Sequence, residues 1–259
     1  MLYFKYFKNH VKTAGQFKLN SVLTSISSAI VSLGELISIW ILFQSFERVG
    51  VWGFYESCLM FGIITTCYSI SECFGRGFDQ FSSLIKFGDL DRLLVRPVGI
   101  IYQVFGYKIE FSKLSRIIVG IVISIIAIVN LGVSWTFSKI IVLIGTFACG
   151  VCVTLGLIII AAGICVFTFD NTEFLNILTN GSKELSYYPI NIYNKWLSRI
   201  FTVIIPLGCF NYLPISYIMG YGSISPLLCG LAPFIGCLFI IPCLIFFKLC
   251  LKKYQGSGT

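Results

Sequence analysis

The sequence predicts an all-α integral membrane protein, a single domain over residues 1–259 with six transmembrane helices. Three observations predict this class. Hydrophobic residues make up 57% of the chain and charged residues 12%, and the mean hydropathy is +0.90, which leaves too little polar surface for a soluble protein. Several apolar runs reach the ~20 helical residues that cross a hydrocarbon core of roughly 30 Å. These runs are continuous, whereas the strands of a membrane β-barrel alternate over about 10 residues.

Residues 1–18 predict an amphipathic helix that lies in the membrane interface before the first span. Its apolar and basic side chains fall on different helical faces, with Phe4, Phe7, Val11 and Ala14 on one and Lys5, Lys8 and Lys12 on the other. Such a helix binds membrane lipids through its apolar face. The alternative is an ordinary start of a span flanked by lysines, and both interpretations place this end in the cytoplasm.

Five of the six spans follow from long apolar runs. They are predicted at about 20–46, 52–74, 117–131, 139–169 and 225–249. Glu47 and Arg48 are the polar residues of the short turn after the first span, so the first two spans form an antiparallel hairpin. The stretch 76–116 between the second and third spans is polar and predicts a loop region outside the membrane.

The remaining span has two alternatives. Hydropathy favours 197–219, with 170–195 as a cytoplasmic loop. The other alternative is a polar span over about 170–188, followed by a hairpin over 187–220 that dips back into the outer leaflet. Broken backbone at that depth is tolerated only where protein or a water-filled cavity covers it.

The distribution of basic residues sets the orientation. With the span at 197–219, 17 of the 19 lysines and arginines lie on one side of the membrane; with the polar span the division is 14 against 5. Cytoplasmic loops carry the excess of basic residues, so both alternatives place the two termini in the cytoplasm. The same bias accounts for the net charge of +8, and no nucleic-acid partner is needed to explain it.

A few charged and polar residues fall inside predicted spans and are candidates for a translocation route. They are Glu35, Glu56 and Glu72 and, if the polar span is adopted, Asn176, Asn180 and Lys183. A charge at the centre of a span costs roughly 2.5–3.5 kcal/mol, so Glu35 is expected to face protein or water. It either selects cationic substrates or packs helices together as a hydrogen-bonded acid. If the polar span is adopted, Glu184 also lies within the membrane and is able to pair with Lys183.

The segment GDLDRLLVRP, 88–97, interrupts the apolar sequence and predicts a short helix on the cytoplasmic side. Gly88 lets the chain turn into this helix, and Pro97 ends it because the residue before a proline is pushed out of helical geometry. Leu90, Leu93 and Leu94 are expected to form one apolar ridge that docks on a soluble partner. The alternative is a solvated loop with an interfacial turn.

Three stretches carry a resemblance to a known family: 81–99, 187–220 and the terminal KKYQGSGT. They resemble the ABC-2 (type-2 ABC exporter) permeases, in the branch marked by F-D-x-x-L-x-x-G-x-L-D-x-x-L-x-R-P. The matching residues are Asp79, Gly88, Asp89, Asp91, Leu94, Arg96 and Pro97. The resemblance covers essentially the whole chain and implies a type-2 ABC exporter fold in the cytoplasmic membrane of a bacterium.

The resemblance also implies partner subunits and the role of each. The region 77–98 would couple to a separate ATP-binding cassette ATPase through Asp89, Asp91, Arg92, Leu93, Leu94, Arg96 and Pro97. Two permease chains, identical or related, would form one exporter. A re-entrant hairpin would precede the last span, and its turns would be marked by Tyr188, Pro189, Pro206 and Pro214. This favours the polar span at 170–188. Related exporters move drugs, lipids, peptides and glycans, so the family does not name the cargo.

The sequence contains no motif for chemistry of its own. It lacks the G-x-x-x-x-G-K-[ST] phosphate loop, so ATP and Mg²⁺ would bind the partner ATPase, and no cofactor or enzymatic activity is expected in this chain. His10 is isolated, and the pair Cys149 and Cys152 lies within a span without a second pair, so no metal site is predicted. An ATP-independent channel or secondary carrier is the alternative function, but it predicts an internal repeat, and no convincing one is present.

Overall fold

The computed structural model describes residues 18–50, 52–168, 176–188, 193–221 and 225–254, and the predicted interfacial helix and Pro189 lie outside these ranges, apart from residue 18. The regular elements of the described residues are helices; the one β-type pairing among them is an isolated bridge between Val49 and Trp52. The fold is therefore all-α, as the sequence predicts.

The first half of the chain forms two long helices and a group of short ones. These are α1 (Lys18–Ser45), α2 (Phe54–Phe74), α3 (Arg76–Asp79), α4 (Phe81–Lys86), α5 (Asp89–Leu94) and α6 (Ile100–Tyr107). Glu56 explains where α2 begins, because its carboxylate accepts a hydrogen bond of 3.1 Å from the Gly53 amide and caps the helix. Gly88 has φ of +71°, a conformation that glycine adopts without strain, and it turns the chain into α5.

The second half contains three more long stretches. A 3₁₀ turn (Phe111–Lys113) leads into α7 (Leu114–Asn130), and α8 (Phe137–Thr168) is the longest helix among the described residues. The last stretch consists of α12 (Pro226–Cys237) and α13 (Ile240–Lys252). The break between them has a local cause, because Pro242 cannot donate a backbone hydrogen bond to Leu238 and its ring crowds that carbonyl.

Five helical stretches of the described residues are long and apolar enough to cross a membrane, against the six predicted. They are Leu19–Ser45, Phe54–Phe74, Phe111–Asn130, Phe137–Thr168 and Pro226–Lys252, which agree with the five predicted spans at most boundaries within three residues. The third begins earlier, at Phe111, because the 3₁₀ turn and the first turns of α7 carry the basic residues that hydropathy assigns to the loop.

The alternative span at 197–219 is not one helix. Helix α10 (Lys195–Arg199) continues into a π-helical turn (Ile200–Ile204), and the chain is then extended at Ile205. A 3₁₀ turn (Leu207–Cys209) and α11 (Tyr212–Met219) follow. The break falls at Pro206, which lacks the backbone N–H that a continuing helix would need.

The segment 176–188, by contrast, runs along the long helices. It contains a π-helical turn (Ile177–Gly181) and α9 (Ser182–Ser186), which pack against α8 and α2 respectively. The Tyr187 ring lies 4.9 Å from the ring of Phe61 on α2. Residues 169–175, where the polar alternative would begin, lie outside the described ranges.

Helix α2 is the centre of the bundle and packs along α7 and α8, while α8 also packs along α12 and α13. The crossing of α2 with α7 depends on Gly62 and Gly120, which face each other. A Cβ at Gly62 would come within 2.7 Å of the Gly120 carbonyl oxygen, and one at Gly120 within 2.9 Å of the Gly62 oxygen. Small residues allow helices in a membrane to approach this closely.

The interior consists of two apolar clusters at opposite ends of the bundle. One contains Trp52, Phe61 and Phe210 and lies toward the end formed by residues 46–53. The other contains Phe78, Phe81 and Phe247 and lies toward the end formed by residues 75–113. In the second cluster the ring of Phe247 is 5.3 Å from the rings of both Phe78 and Phe81. These ends are called the 46–53 end and the 75–113 end below.

Candidate functional site

Glu35, near the middle of α1, is surrounded by donors from two other parts of the chain. Its Oε1 accepts hydrogen bonds from Lys183 Nζ at 2.9 Å and Arg116 Nη2 at 3.1 Å. Its Oε2 accepts one from the Tyr187 hydroxyl at 2.7 Å. The side chains of Glu35, Arg116 and Lys183 are only 16%, 10% and 6% exposed. These four residues, called the Glu35 cluster below, join α1, α7 and the segment 176–188.

Further ion pairs continue from this cluster toward the 75–113 end. Glu72 on α2 pairs with Lys113 at 2.7 Å and lies 3.8 Å from Arg116. Arg76 pairs with Glu110 at 2.6 Å and also with Asp79. Burial raises the pKa of the Asp79 carboxyl, and the neighbouring Arg76 offsets part of that effect. Each acid in this series has a basic partner, so the charges of these partly buried side chains are paired.

A polar cavity of about 240 Å³ lies between α2, α8 and the turn 177–181, next to these ion pairs. Its walls are polar on the α2 side and toward the 75–113 end, and apolar only along part of α8. The lining residues include Tyr68, Glu72, Arg76, Asp79, Lys113, Thr154, Asn176, Thr179 and Asn180. This size accommodates several waters or the polar part of a small molecule.

The structure brings five of the six predicted route residues into one region. Glu72, Asn176 and Asn180 line the polar cavity, while Glu35 and Lys183 belong to the adjacent Glu35 cluster. Glu56 lies elsewhere: besides capping α2, it accepts a hydrogen bond of 2.8 Å from the Tyr221 hydroxyl at the 46–53 end.

The interpretation that Lys183 pairs with Glu184 is wrong. Lys183 is buried and bonds Glu35, whereas Glu184, one position on, is on the exposed side of α9. Adjacent residues on a helix point in directions about 100° apart and do not face each other. The sequence also gave no indication of Arg116 and Tyr187 as partners of Glu35, although a buried acid does predict that some base will be found beside it.

The short helix α5 lies where the sequence predicts it, but its leucines do not form one exposed ridge. Leu90 and Leu93 are 0% and 7% exposed, because they pack into the protein's own cluster around Phe81. The apolar residues left on the surface are Phe87, Leu94 and Val95, which are 81%, 44% and 86% exposed. Leu93 therefore packs inward as an anchor of α5, which corrects the prediction of one exposed ridge of three leucines.

The backbone after α5 is fixed from inside. The amide of Gln103, a buried side chain on α6, donates hydrogen bonds to the carbonyl oxygens of Leu93 at 2.9 Å and Val98 at 2.7 Å. These two bonds hold the turn that contains Arg96 and Pro97. The exposed trio Phe87, Leu94 and Val95, called the apolar edge below, is thus carried on a rigid support.

The charged residues of α5 surround a second cavity. Arg92 pairs with Asp89 at 3.2 Å, and the Tyr107 hydroxyl lies 3.4 Å from the same carboxylate. Together with Leu93, Arg96 and Gln103, these residues line a cavity of about 260 Å³. On the other flank Asp91 lies beside Tyr254, whose pKa is raised by burial and then by that carboxylate.

The predicted hairpin residues fall in the chain between the segment 176–188 and α12. Pro214 is buried within α11, and Pro206 lies just before the 3₁₀ turn that buries Leu207. The amide of Asn211 donates to the Ser186 carbonyl oxygen, which joins this region to the end of α9. Tyr188 is the second residue after α9 and is half-buried.

At the 46–53 end, the same stretch packs on the turn between α1 and α2. The ring of the fully buried Trp52 lies 5.5 Å from the rings of both Tyr212 and Tyr221. The stretch therefore starts deep in the bundle at Leu207 and reaches its surface at Tyr221.

No group of acidic, cysteine or histidine side chains within the described ranges is arranged to hold a metal ion. Cys149 and Cys152 both lie on α8, and Cys149 is buried among apolar neighbours. The features of the site are thus a neutralised set of buried charges, a polar cavity and an exposed apolar edge.

These features define a class: a multi-pass helical membrane protein with a polar cavity between its helices. The sequence matches the family described as ABC-2 family transporter protein over residues 29–258, and the chain belongs to that family. Members are membrane components of transporters, which indicates a membrane subunit of an ABC transporter. No curated protein and no solved structure matches the chain.

Proposed function

We propose that this chain is the permease subunit of an ABC exporter and moves its substrate across the cytoplasmic membrane with energy from a separate ATPase subunit. ATP and Mg²⁺ bind that subunit, and the permease itself performs no chemistry. A second permease chain, identical or related, completes the exporter. The 75–113 end faces the cytoplasm, together with both termini, because basic residues concentrate there.

The observation that carries this proposal is the apolar edge on a rigid support. Phe87 and Val95 are more than four-fifths exposed, yet Leu90 and Leu93 anchor the same element inside the protein. Exposed apolar groups rimmed by charges such as Arg92 and Arg96 are typical of a protein–protein interface. A support that is fixed to the bundle from inside also transmits movement of the partner to the spans.

The route proposed for the substrate begins at the polar cavity. The segment 176–188 is the described part of the polar fifth span proposed at 170–188; it supplies Asn176 and Asn180 to the cavity wall and runs along α2 and α8. The hairpin proposed at 187–220 re-enters from the outer side, and protein covers its deep end at Leu207, as such backbone requires.

Substitution of the apolar edge tests the proposal. The tagged chain is purified from its native membrane in mild detergent, and Mg²⁺-dependent ATP hydrolysis in the eluate is measured per mole of chain. We expect Leu94→Asp combined with Val95→Asp to lower the copurified ATPase activity by about tenfold or more, because interface residues at a hot spot cost ≥ ~2 kcal/mol when lost. Mass spectrometry then identifies the ATPase retained by the unchanged protein.

Two matched variants make this result specific. Phe46→Asp places an acidic side chain on another exposed apolar residue, 61% exposed, just after α1 at the opposite end, and should retain the ATPase. Leu93→Ala should lower the thermal stability of the chain before it affects copurification, because Leu93 is buried. ATPase retained by the double variant, or none retained by the unchanged chain, would contradict the proposal and favour an ATP-independent carrier.

A further inference from the structure

The Glu35 cluster lies directly beyond the polar cavity, toward the middle of the bundle. On α2 the cavity is lined by Tyr68 and Glu72, whereas the ring of Tyr187 packs on Phe61. Seven residues of helix separate Tyr68 from Phe61, a distance of about 10 Å at a rise of 1.5 Å per residue. Arg116, which bonds Glu35, also lies 3.8 Å from Glu72 in the cavity wall, so the cluster adjoins the deep end of the cavity.

We infer that the Glu35 cluster is a gate, which holds α1 and the segment 176–188 together while the cavity is closed to the opposite end. This inference rests on the proposed function only because it treats the cavity as part of a substrate route. That ion pairing at Glu35 keeps the segment 176–188 in place does not depend on any ATPase.

The chemistry of the cluster favours two distinct states. In the dry state each charged group must be paired, because an unpaired buried charge costs several kcal/mol. When the segment moves and water enters from the cavity, Lys183 and Glu35 are solvated and the ion pair contributes little. The pair therefore stabilises the closed arrangement and has no comparable effect on a hydrated, open one.

The backbone beside the cluster is suited to such a movement. The turn Ile177–Gly181, between the cavity wall and α9, is π-helical. π-Helical turns interrupt the regular hydrogen-bond ladder and are often found at functional sites, since they allow a helix to shift register. A shift of α9 along α2 would carry Lys183 and Tyr187 away from Glu35 together.

Cationic cargo is not required by this arrangement. Glu35 already has two basic partners, Arg116 and Lys183, and the nearby Glu72 is paired with Lys113. The Glu35 carboxylate is bonded by basic residues of its own chain, and this distinguishes a gate from a site that selects cations.

Hydrogen exchange of the whole chain in lipid nanodiscs tests the gate, with backbone amides of 176–188 followed by mass spectrometry. We expect Glu35→Gln to raise the exchange rate of these amides by roughly tenfold or more, because the buried Lys183 loses its counter-ion while Arg116 keeps only Glu72 at 3.8 Å. Adding Lys183→Gln should reverse part of the increase, since one uncompensated cation is then removed.

A milder variant covers the case in which Glu35→Gln does not fold. Tyr187→Phe removes only the 2.7 Å hydrogen bond to Glu35 and keeps the ring on Phe61, and it should raise exchange in the same peptide by a smaller factor. Its matched control is Tyr221→Phe, which removes the 2.8 Å bond to Glu56 at the other end. That control should leave 176–188 unchanged.

The position of the increase decides the result. A rise confined to 176–188 and the facing part of α1 supports the gate. An unchanged rate in both Glu35→Gln and Tyr187→Phe overturns it, and so does an equal rise in the α7 peptide around Gly120, which would report general loss of packing. Copurified ATPase does not enter this measurement, so the earlier proposal and this one fail separately.

Discussion

Helices α1 and α2 are consecutive spans, and the more apolar of the two is the more exposed. In the most apolar stretch of α1 11% of residues are buried, against 83% in α2, although α1 has the higher mean hydropathy. Lipid is as apolar as leucine, so apolar side chains gain little by leaving it. Hydropathy thus identifies a span, but the polar residues of a span indicate whether it lies at the centre of the helical bundle.

The polar residues of α2 explain its position. The Ser71 hydroxyl bonds the Thr154 hydroxyl and the Val151 carbonyl oxygen on α8, the latter at 3.3 Å, and the Cys67 thiol lies 3.5 Å from the Phe147 carbonyl oxygen on the same helix. On α1 the corresponding tie is the Glu35 cluster, together with a hydrogen bond of 2.7 Å from the Ser115 hydroxyl to the Ser25 carbonyl oxygen. The first span is therefore attached at a few polar points, and the second along its length.

The largest expected difference between the two helices is in the effect of replacing a glycine by valine. Gly62→Val should prevent α2 and α7 from packing, because the added carbon would lie within 2.7 Å of the Gly120 carbonyl oxygen and 2.9 Å of the Ser124 amide nitrogen. We expect little protein to be recovered as a monodisperse species in size-exclusion chromatography. Gly34→Val on α1, where a Cβ would contact nothing within 4 Å, should behave like the unchanged chain. Equal recovery of the two variants would show that α2 and α7 do not cross so closely.

An intermediate effect on stability is expected when an isoleucine is replaced by alanine. Ile64 on α2 is 0% exposed and Ile37 on α1 is 54% exposed. Ile64→Ala should lower the free energy of unfolding by about 2–5 kcal/mol, since it leaves a cavity in a packed interior. Ile37→Ala should change it by less than about 0.5 kcal/mol, the usual range for a surface substitution. Thermal unfolding in detergent measures both, and a similar loss for Ile37→Ala would indicate that another chain covers α1.

The smallest expected effect concerns a polar attachment of α1. Ser115→Ala removes the hydroxyl that reaches the Ser25 carbonyl, and we expect a loss of about 1 kcal/mol, typical of one hydrogen bond. Ser112→Ala, whose hydroxyl bonds Glu110 at 3.1 Å within its own turn, is the control and should have less effect on the exchange of α1 amides. If both variants behave alike, the bond between α7 and α1 does not hold the first span.

The predicted and observed positions of the leucines in α5 show where sequence reasoning stops. Gly88, the acidic first turn and Pro97 are local signals, and they correctly placed a helix at Asp89–Leu94. Which leucine faces inward depends on how α5 packs into the cluster that contains Phe81 and Phe247, and Phe247 lies far away along the chain. A rotation of one residue exchanges Leu93 for Leu94, and no local signal specifies that angle.

The sequence by itself determined the class of protein, five spans and the position of a short polar helix, because these depend on composition and on residues close together in the chain. Tertiary structure alone decided that Glu35 meets Lys183, 148 positions away, and that α2 rather than α1 lies at the centre. The physical reason is that a buried charge must find a partner, whereas its own neighbourhood in the sequence does not indicate from which helix that partner comes.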